Sequence, residues 1–141
     1  MLNDGLKLTG KLTIALNDEI VQEVPNLVVT AGKEYVASRM KDTSDSAMSH
    51  MAIGTGSTAA AAGNTALGSE SARTALTSTT VSGADIVYVD TFAAGTGTGA
   101  ITEAGIFNAS SGGDMLCRTV FSVVNKGASD AMTITWTVTV S

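Results

Sequence analysis

The chain has one cysteine, one histidine, one tryptophan and few charged residues, and each scarcity removes a class of function. With Cys117 alone, no intramolecular disulfide can form, and no cysteine-based metal site can be built within one chain. Cys117 reads instead as a buried apolar thiol on a strand. His50 is the only base available to a Ser-His-Asp triad, with Ser49 or Asp45 near it in sequence, and no nucleophile elbow accompanies it. A strand-borne or loop-edge histidine is the expected role. Aromatic residues make up 4% of the chain, whereas carbohydrate binding calls for several exposed aromatics. Trp136 and Phe121 fall on apolar strand faces and read as core. Charged residues are 15%, the net charge is −5 and no basic stripe is present, so a nucleic-acid partner is not expected. The opening "MLNDGLKLTGKL" lacks an apolar signal-peptide core, and no segment has the length of a membrane span. A soluble protein made in a cytoplasm, with no membrane partner, is expected.

What remains is 44% hydrophobic, much of it alanine, together with threonine, serine and glycine. That mixture favours strands and turns, with a core of Val, Ile, Leu and Met. The length of 141 residues suits one domain, 1–141, with a sizeable core. Leu6, Leu8, Leu12, Ile14 and Leu16 share one parity, the strand period; Asn17-Asp18 is a turn signal, and Glu19 to Val24 returns as a hairpin. Pro25-Asn26 breaks it before "LVV". Thr30 reads as the N-cap of a helix over Ala31 to Lys41, with Tyr35, Val36 and Met40 on its apolar stripe and "DTSDS" ending it. Met48 to Ile53 is a short strand. Gly54 to Gly68 is a long Gly/Ala/Ser/Thr loop, either flexible or packed on a neighbour. "ARTALTSTTVS" and "DIVYVDTFAA" are two further strands, and Ala100 to Asn108 pairs with Met115 to Val124 across "ASSGGD". The last strand alternates Met132, Ile134, Trp136, Val138 and Val140 with threonines, as a half-buried strand does. About eight strands at this spacing with one short helix predict an all-β, antiparallel β-sandwich of jelly-roll or Greek-key type.

Three features have a possible chemistry. Gly54-Thr-Gly-Ser-Thr-Ala59 matches the dinucleotide pattern G-x-G-x-x-A, but no βαβ units surround it, and the loop reading is preferred. "GTGTG" from Gly95 lacks the Lys-Ser/Thr of a phosphate loop. Glu103 and Asp90 sit in apolar strands, where a carboxyl can serve as a general acid; pairing with Arg118 or Arg73, or an edge position facing solvent, is the preferred reading. No catalytic, cofactor-binding or metal-binding residue is assigned, and no cofactor is expected.

"NLVVTAGKEYVASRM" (26–40), "MSHMAIGTGSTAAAAGNTALGSESAR" (48–73) and "ITEAGIFNASSGGDMLCRTVFSVVNKGASDAMTITWTVTV" (101–140) together resemble a family of small tailed-bacteriophage virion structural proteins. The blocks are an "N-x-V-x-x-x-G" before a helix, an "hMAIGTGTTA"-like loop leading to "T-x-L-x-x-E-x-x-R", and "TEAGIFN…G-x-M-L-x-R" before a terminal "LTITWTVT"-like strand. The resemblance implies a structural, non-enzymatic protein located in the virion. Its leading implication is a capsid cement or decoration protein that binds major capsid protein at joints between capsomers, as a homo-oligomer with a trimer favoured. The alternative is a tail component (fibre, adaptor or baseplate protein) involved in attachment. A third reading, a small hydrolase or sugar-binding module, would need His50, Glu103 or Asp90 to converge in a pocket.

Overall fold

The computed structural model describes residues 5–41 and 45–141. Ten strands and one helix follow in the order β1 (Leu8–Leu16), β2 (Glu19–Pro25), β3 (Leu27–Val28), α1 (Thr30–Lys41), β4 (His50–Gly54), β5 (Glu70–Ala75), β6 (Ser78–Ser82), β7 (Asp85–Phe92), β8 (Gly99–Phe107), β9 (Met115–Lys126) and β10 (Met132–Val140). They form two five-stranded sheets, β2-β1-β10-β7-β6 and β3-β9-β8-β4-β5, in which every pairing is antiparallel. Among the described residues the fold is therefore an all-β sandwich with a single short helix. Hairpins alternate with crossings from one sheet to the other, as in Greek-key connectivity.

The strand alternations decide which faces meet. Leu12 and Ile14 of β1 and Met132, Ile134, Trp136 and Val138 of β10 are buried, and they pack against Met51, Ile53, Ile101 and Ile106 of the facing sheet. The threonines of β10 take the other face, where Thr133 and Thr91 hydroxyls lie 2.9 Å apart and Thr139 donates to Asp85 at 2.7 Å. Leu6, placed with the β1 stripe by parity, precedes the strand and is exposed. The β1–β2 turn places Asn17 and Asp18 at φ 51° and 68°, the double left-handed geometry of a two-residue hairpin that matches strand twist.

Two expectations change. "ARTALTSTTVS", read as one strand, is two. The chain leaves one sheet after Ala75 and joins the other at Ser78, and the two residues between hand the backbone bonding across. Leu76 N–H donates to Ser49 C=O and Thr77 N–H to Val89 C=O, both close to 2.9 Å. This break, together with the short β3, raises the strand number from about eight to ten. The helix starts at Thr30, and Tyr35 and Val36 of the expected stripe are half-buried against the core, but Met40 is exposed and the buried residue is Gly32. A Cβ on Gly32 would overlap the Leu116 carbonyl oxygen, so the absent side chain is what lets α1 lie directly on β9. Arg39 and Lys41 in the last turn complement the helix dipole. The "DTSDS" stop falls in part on residues 42–44, outside the described residues.

Candidate functional site

The outer face of the sheet β3-β9-β8-β4-β5 carries a second, smaller apolar cluster of Val29, Ala52, Leu67, Phe107 and Met115. The loop 55–69 between β4 and β5 closes over it. The loop lies packed on its own chain, and the fastening is ionic. Glu103 projects from β8 with 0% exposure and Arg118 from β9 with 2%. Arg118 Nε and Nη2 donate to Glu103 Oε1 at 3.2 and 3.0 Å. Three loop amides complete the carboxylate: Gly68 donates to Oε1 at 2.8 Å, and Gly56 and Ser69 donate to Oε2 at 2.7 Å each. Arg118 also donates to Asn64 Oδ1 at 2.9 Å and to the Thr58 carbonyl at 3.0 Å. Thr102 Oγ1 donates to Gly56 C=O at 2.7 Å, and Ala62 C=O accepts from Thr30 N–H, which ties the loop to the helix start.

This geometry explains the dinucleotide-like pattern. Gly56 presents its amide to an anion, as such loops do, but the anion is the chain's own carboxylate. A Cβ on Gly56 would overlap that carboxylate, so the glycine is required by Glu103. Burial alone would raise the Glu103 pKa. The amides of Gly68 and Ser69, the Arg118 guanidinium and the Gly56 amide outweigh it and hold the carboxyl below its usual 4.5.

A second fastening lies beside the first. The Arg73 guanidinium stands 3.7 Å from the centroid of the Phe107 ring. It pairs with Glu70 at 2.7 Å and donates to the carbonyls of Ala109 and Gly112 at 3.0 and 2.8 Å, pinning the tip of the β8–β9 hairpin. The paired blocks quoted above thus meet in space. Leu67, Glu70 and Arg73 of the block 48–73, and Glu103, Phe107 and Arg118 of the block 101–140, form one contiguous latch. Sequence reading named the Glu103–Arg118 pairing among its alternatives; Arg73 pairs instead with Glu70.

Asp90, on β7, is 1% exposed and bridges the sheets: Thr74 of β5 donates to Oδ2 at 2.5 Å and Thr77 to Oδ1 at 3.5 Å. Burial is the dominant influence and pushes its pKa from 3.8 up to about 6, against the lowering effect of Thr74, Thr91 and Thr77. A raised carboxyl pKa contributes stability that is complete below pH 3.8 and lost as the pH climbs through about 6. Asp90→Asn keeps the shape without the charge. It is expected to raise stability at pH 7.5 by roughly 1–3 kcal/mol and to leave it little changed at pH 4. Urea titrations at the two pH values check this; equal effects at both would mean that Asp90 is not the titrating group.

His50 Nδ1 and Ser49 Oγ lie 2.8 Å apart, but Asp45 Oδ2 accepts from the Ser38 hydroxyl, also at 2.8 Å. His50, Asp90 and Glu103 share no hydrogen-bond partner among the described residues. Among those residues, no group of three His, Cys, Asp or Glu is placed to hold a metal ion, and no helix is long and apolar enough to cross a membrane. Comparison with known proteins adds nothing to this description. No family model, curated protein or solved structure matches the chain.

Lys126 is the residue that sequence reading passed over. It is 1% exposed, and its ammonium donates to the carbonyls of Ala93 and Asp130 at 2.9 and 2.7 Å, locking the β9–β10 turn. The available signal was its parity with buried Val124 two residues before. A lysine beside Gly127 at a turn would ordinarily face water, which hid it.

Proposed function

We propose that this chain is a non-enzymatic virion protein of a tailed bacteriophage, a cement or decoration protein that binds the major capsid protein at joints between capsomers and stabilises the head. The observation that carries this reading is how its chemistry-bearing side chains are used. Glu103, Arg118, Glu70, Arg73 and Lys126 all hold loops and turns of the chain itself in place. The sequence blocks that resemble small virion proteins are the ones spent on this internal fastening. Such a domain offers rigidity and a surface of small polar residues, which suits close packing against neighbours more than it suits turnover. Joints where three subunits meet favour a trimer. Each contact need only be modest, because many copies act together on one particle.

Particles lacking the protein are expected to burst at lower temperature than complete ones while adsorbing to cells normally. Intact particles should contain it at a copy number approaching that of the major capsid protein. Particles that stay robust but fail to adsorb, with a few dozen copies at most in the complete particle, would replace the cement reading by the tail reading.

A further inference from the structure

A sandwich of two open sheets has four edges, and three of them here are blunted. β2 carries Glu19, Glu23 and Pro25 and has a register shift against β1. β3 is two residues long. β5 carries the Glu70–Arg73 pair and a register shift against β4. Charges, proline, shortness and bulges are the standard means of preventing an edge from recruiting another strand. β6 has none of them. Its sequence Ser-Thr-Thr-Val-Ser holds no charge and no proline, its pairing with β7 is regular, and all five residues are exposed. Its outer backbone edge pairs with no other strand among the described residues.

Beside this bare edge the two sheets and the helix leave an apolar crevice of about 380 Å³. Thr79 and Val81, which share one face of β6, line it with Ile86, Tyr88, Tyr35 and Met48. Val81 is 70% exposed, although Met48, Tyr88, Leu116 and Val138 of the same crevice are buried. The crevice shares Leu8 and Val36 with a second groove along α1, whose floor includes exposed Leu6 and Met40. The charges on these walls are of one sign. Lys7 and Lys33 line the groove and Arg39 the crevice, while no carboxylate lines either among the described residues. Asp45, the nearest acid in contact with Arg39, accepts from its guanidinium through the backbone carbonyl and turns its carboxylate to Ser38. On a chain of net charge −5, the lining charges around this apolar floor are cationic, with Asp45 and Asp114 acting on Tyr35 and Asp85 opposite Ser82 at the hairpin end of β6.

We propose that β6 and this crevice form a strand-addition site for an extended segment of a partner polypeptide, apolar at alternate positions and acidic at its flanks. The partner's backbone would complete the ladder of β6. Its alternate side chains would enter the crevice beside Val81, and its flanking carboxylates would meet Arg39. Backbone bonds then give affinity, while the crevice and rim give selectivity. A second copy of this chain fits less well. Its own β6 is five residues without an acid, and pairing of two such edges buries far less than the ~1,200 Å² of a stable interface.

The site can be tested on the isolated full-length chain, so that failure leaves the virion reading standing. The probes are nine-residue capped peptides with Val, Ile, Leu or Phe at three alternate central positions, Thr between them and two Asp at each end. At least one is expected to bind at submillimolar concentration and to slow amide exchange at residues 78–82. Val81→Lys, at an exposed position that leaves the core intact, should weaken binding at least tenfold with an unchanged melting temperature. Replacing the Asp flanks by Lys should weaken it likewise. Absence of binding by every probe at 1 mM, or protection that falls elsewhere, overturns the proposal. Equal binding of Lys-flanked probes overturns its acidic component. Concentration-dependent self-association of the unliganded chain that Val81→Lys abolishes would give the edge to a second copy, and would also overturn it.

Discussion

Replacing Glu103 by glutamine is expected to lower the stability of the fold by about 3–5 kcal/mol, the usual consequence of leaving one half of a buried ion pair uncompensated. The geometry makes the loss larger than a surface bridge could produce. Gly56, Gly68, Ser69 and Arg118 all point N–H groups at the carboxylate, and a glutamine would direct an NH2 of its own at some of them. Arg118→Met should fall in the same range by the opposite route, stranding a carboxylate held only by amides. In many proteins a buried pair can be exchanged for apolar residues at little cost. That exchange should fail here: Glu103→Leu with Arg118→Met would leave three loop amides and the Thr58 carbonyl unsatisfied. Urea unfolding measures the stabilities, and limited proteolysis locates the damage, with cleavage expected first in the loop 55–69. A double variant as stable as the parent would show that the loop is held by Leu67 and its apolar neighbours. The pH dependence has a definite sign. Because the Glu103 pKa is depressed, its contribution is complete above about pH 4.5 and is lost as the pH falls through the folded-state value. Asp90 acts in the other direction, so acid unfolding should become steeper in Asp90→Asn.

Trp136→Ala should cost a similar amount, about 3–5 kcal/mol, for a different reason. Trp136 is 0% exposed at the centre of its sheet, opposite Leu12 on one side and Tyr88 on the other, and its removal opens a cavity that regular strands cannot close. Its indole Nε1 is buried without a hydrogen-bond partner. That orphan donor already costs stability in the parent, so Trp136→Phe, which removes it along with some volume, should be much milder than the alanine change. The comparison separates packing from polarity. A phenylalanine variant as damaged as the alanine variant would mean that the indole N–H is satisfied. Iodide quenching of the single tryptophan should be weak in the parent; strong quenching would place Trp136 on the solvent face.

The parts of this fold that sequence reveals are those where one pattern dominates. β10 alternates without interruption, so its faces and the burial of Trp136 follow from period alone. The β1–β2 turn is marked by Asn17-Asp18, whose short polar side chains tolerate the left-handed conformation. The division between β5 and β6 is not legible, because Thr, Ser and Ala continue through it with strand-like composition. The break there is made by long-range bonds from Leu76 and Thr77 to other strands. Met40 was misplaced for a related reason: helix periodicity points to large side chains, whereas α1 is seated through Gly32. Within the latch, Glu103 and Arg118 were visible as charges in apolar strands. The loop amides that bind Glu103 and the Thr58 carbonyl that accepts from Arg118 are backbone groups, and no residue pattern encodes where they point.

The placement of β10 also bears on how the chain reaches this state. β10 lies between β1 and β7, pairing with β1 from Leu8↔Val140 to Leu16↔Met132. During synthesis the β1–β2 and β6–β7 hairpins emerge early, each with one long edge that only the last strand can satisfy. Until residues 132–140 leave the ribosome, that sheet is two separate ribbons facing a half-built core. Closing it joins segments from opposite ends of the sequence, a non-local step of the kind that slows β-rich folding and leaves sticky edges exposed meanwhile. A ribosome stalled short of Met132 would therefore hold a nascent chain with the appetite of an unfinished sheet, and such a chain is a natural client for chaperones.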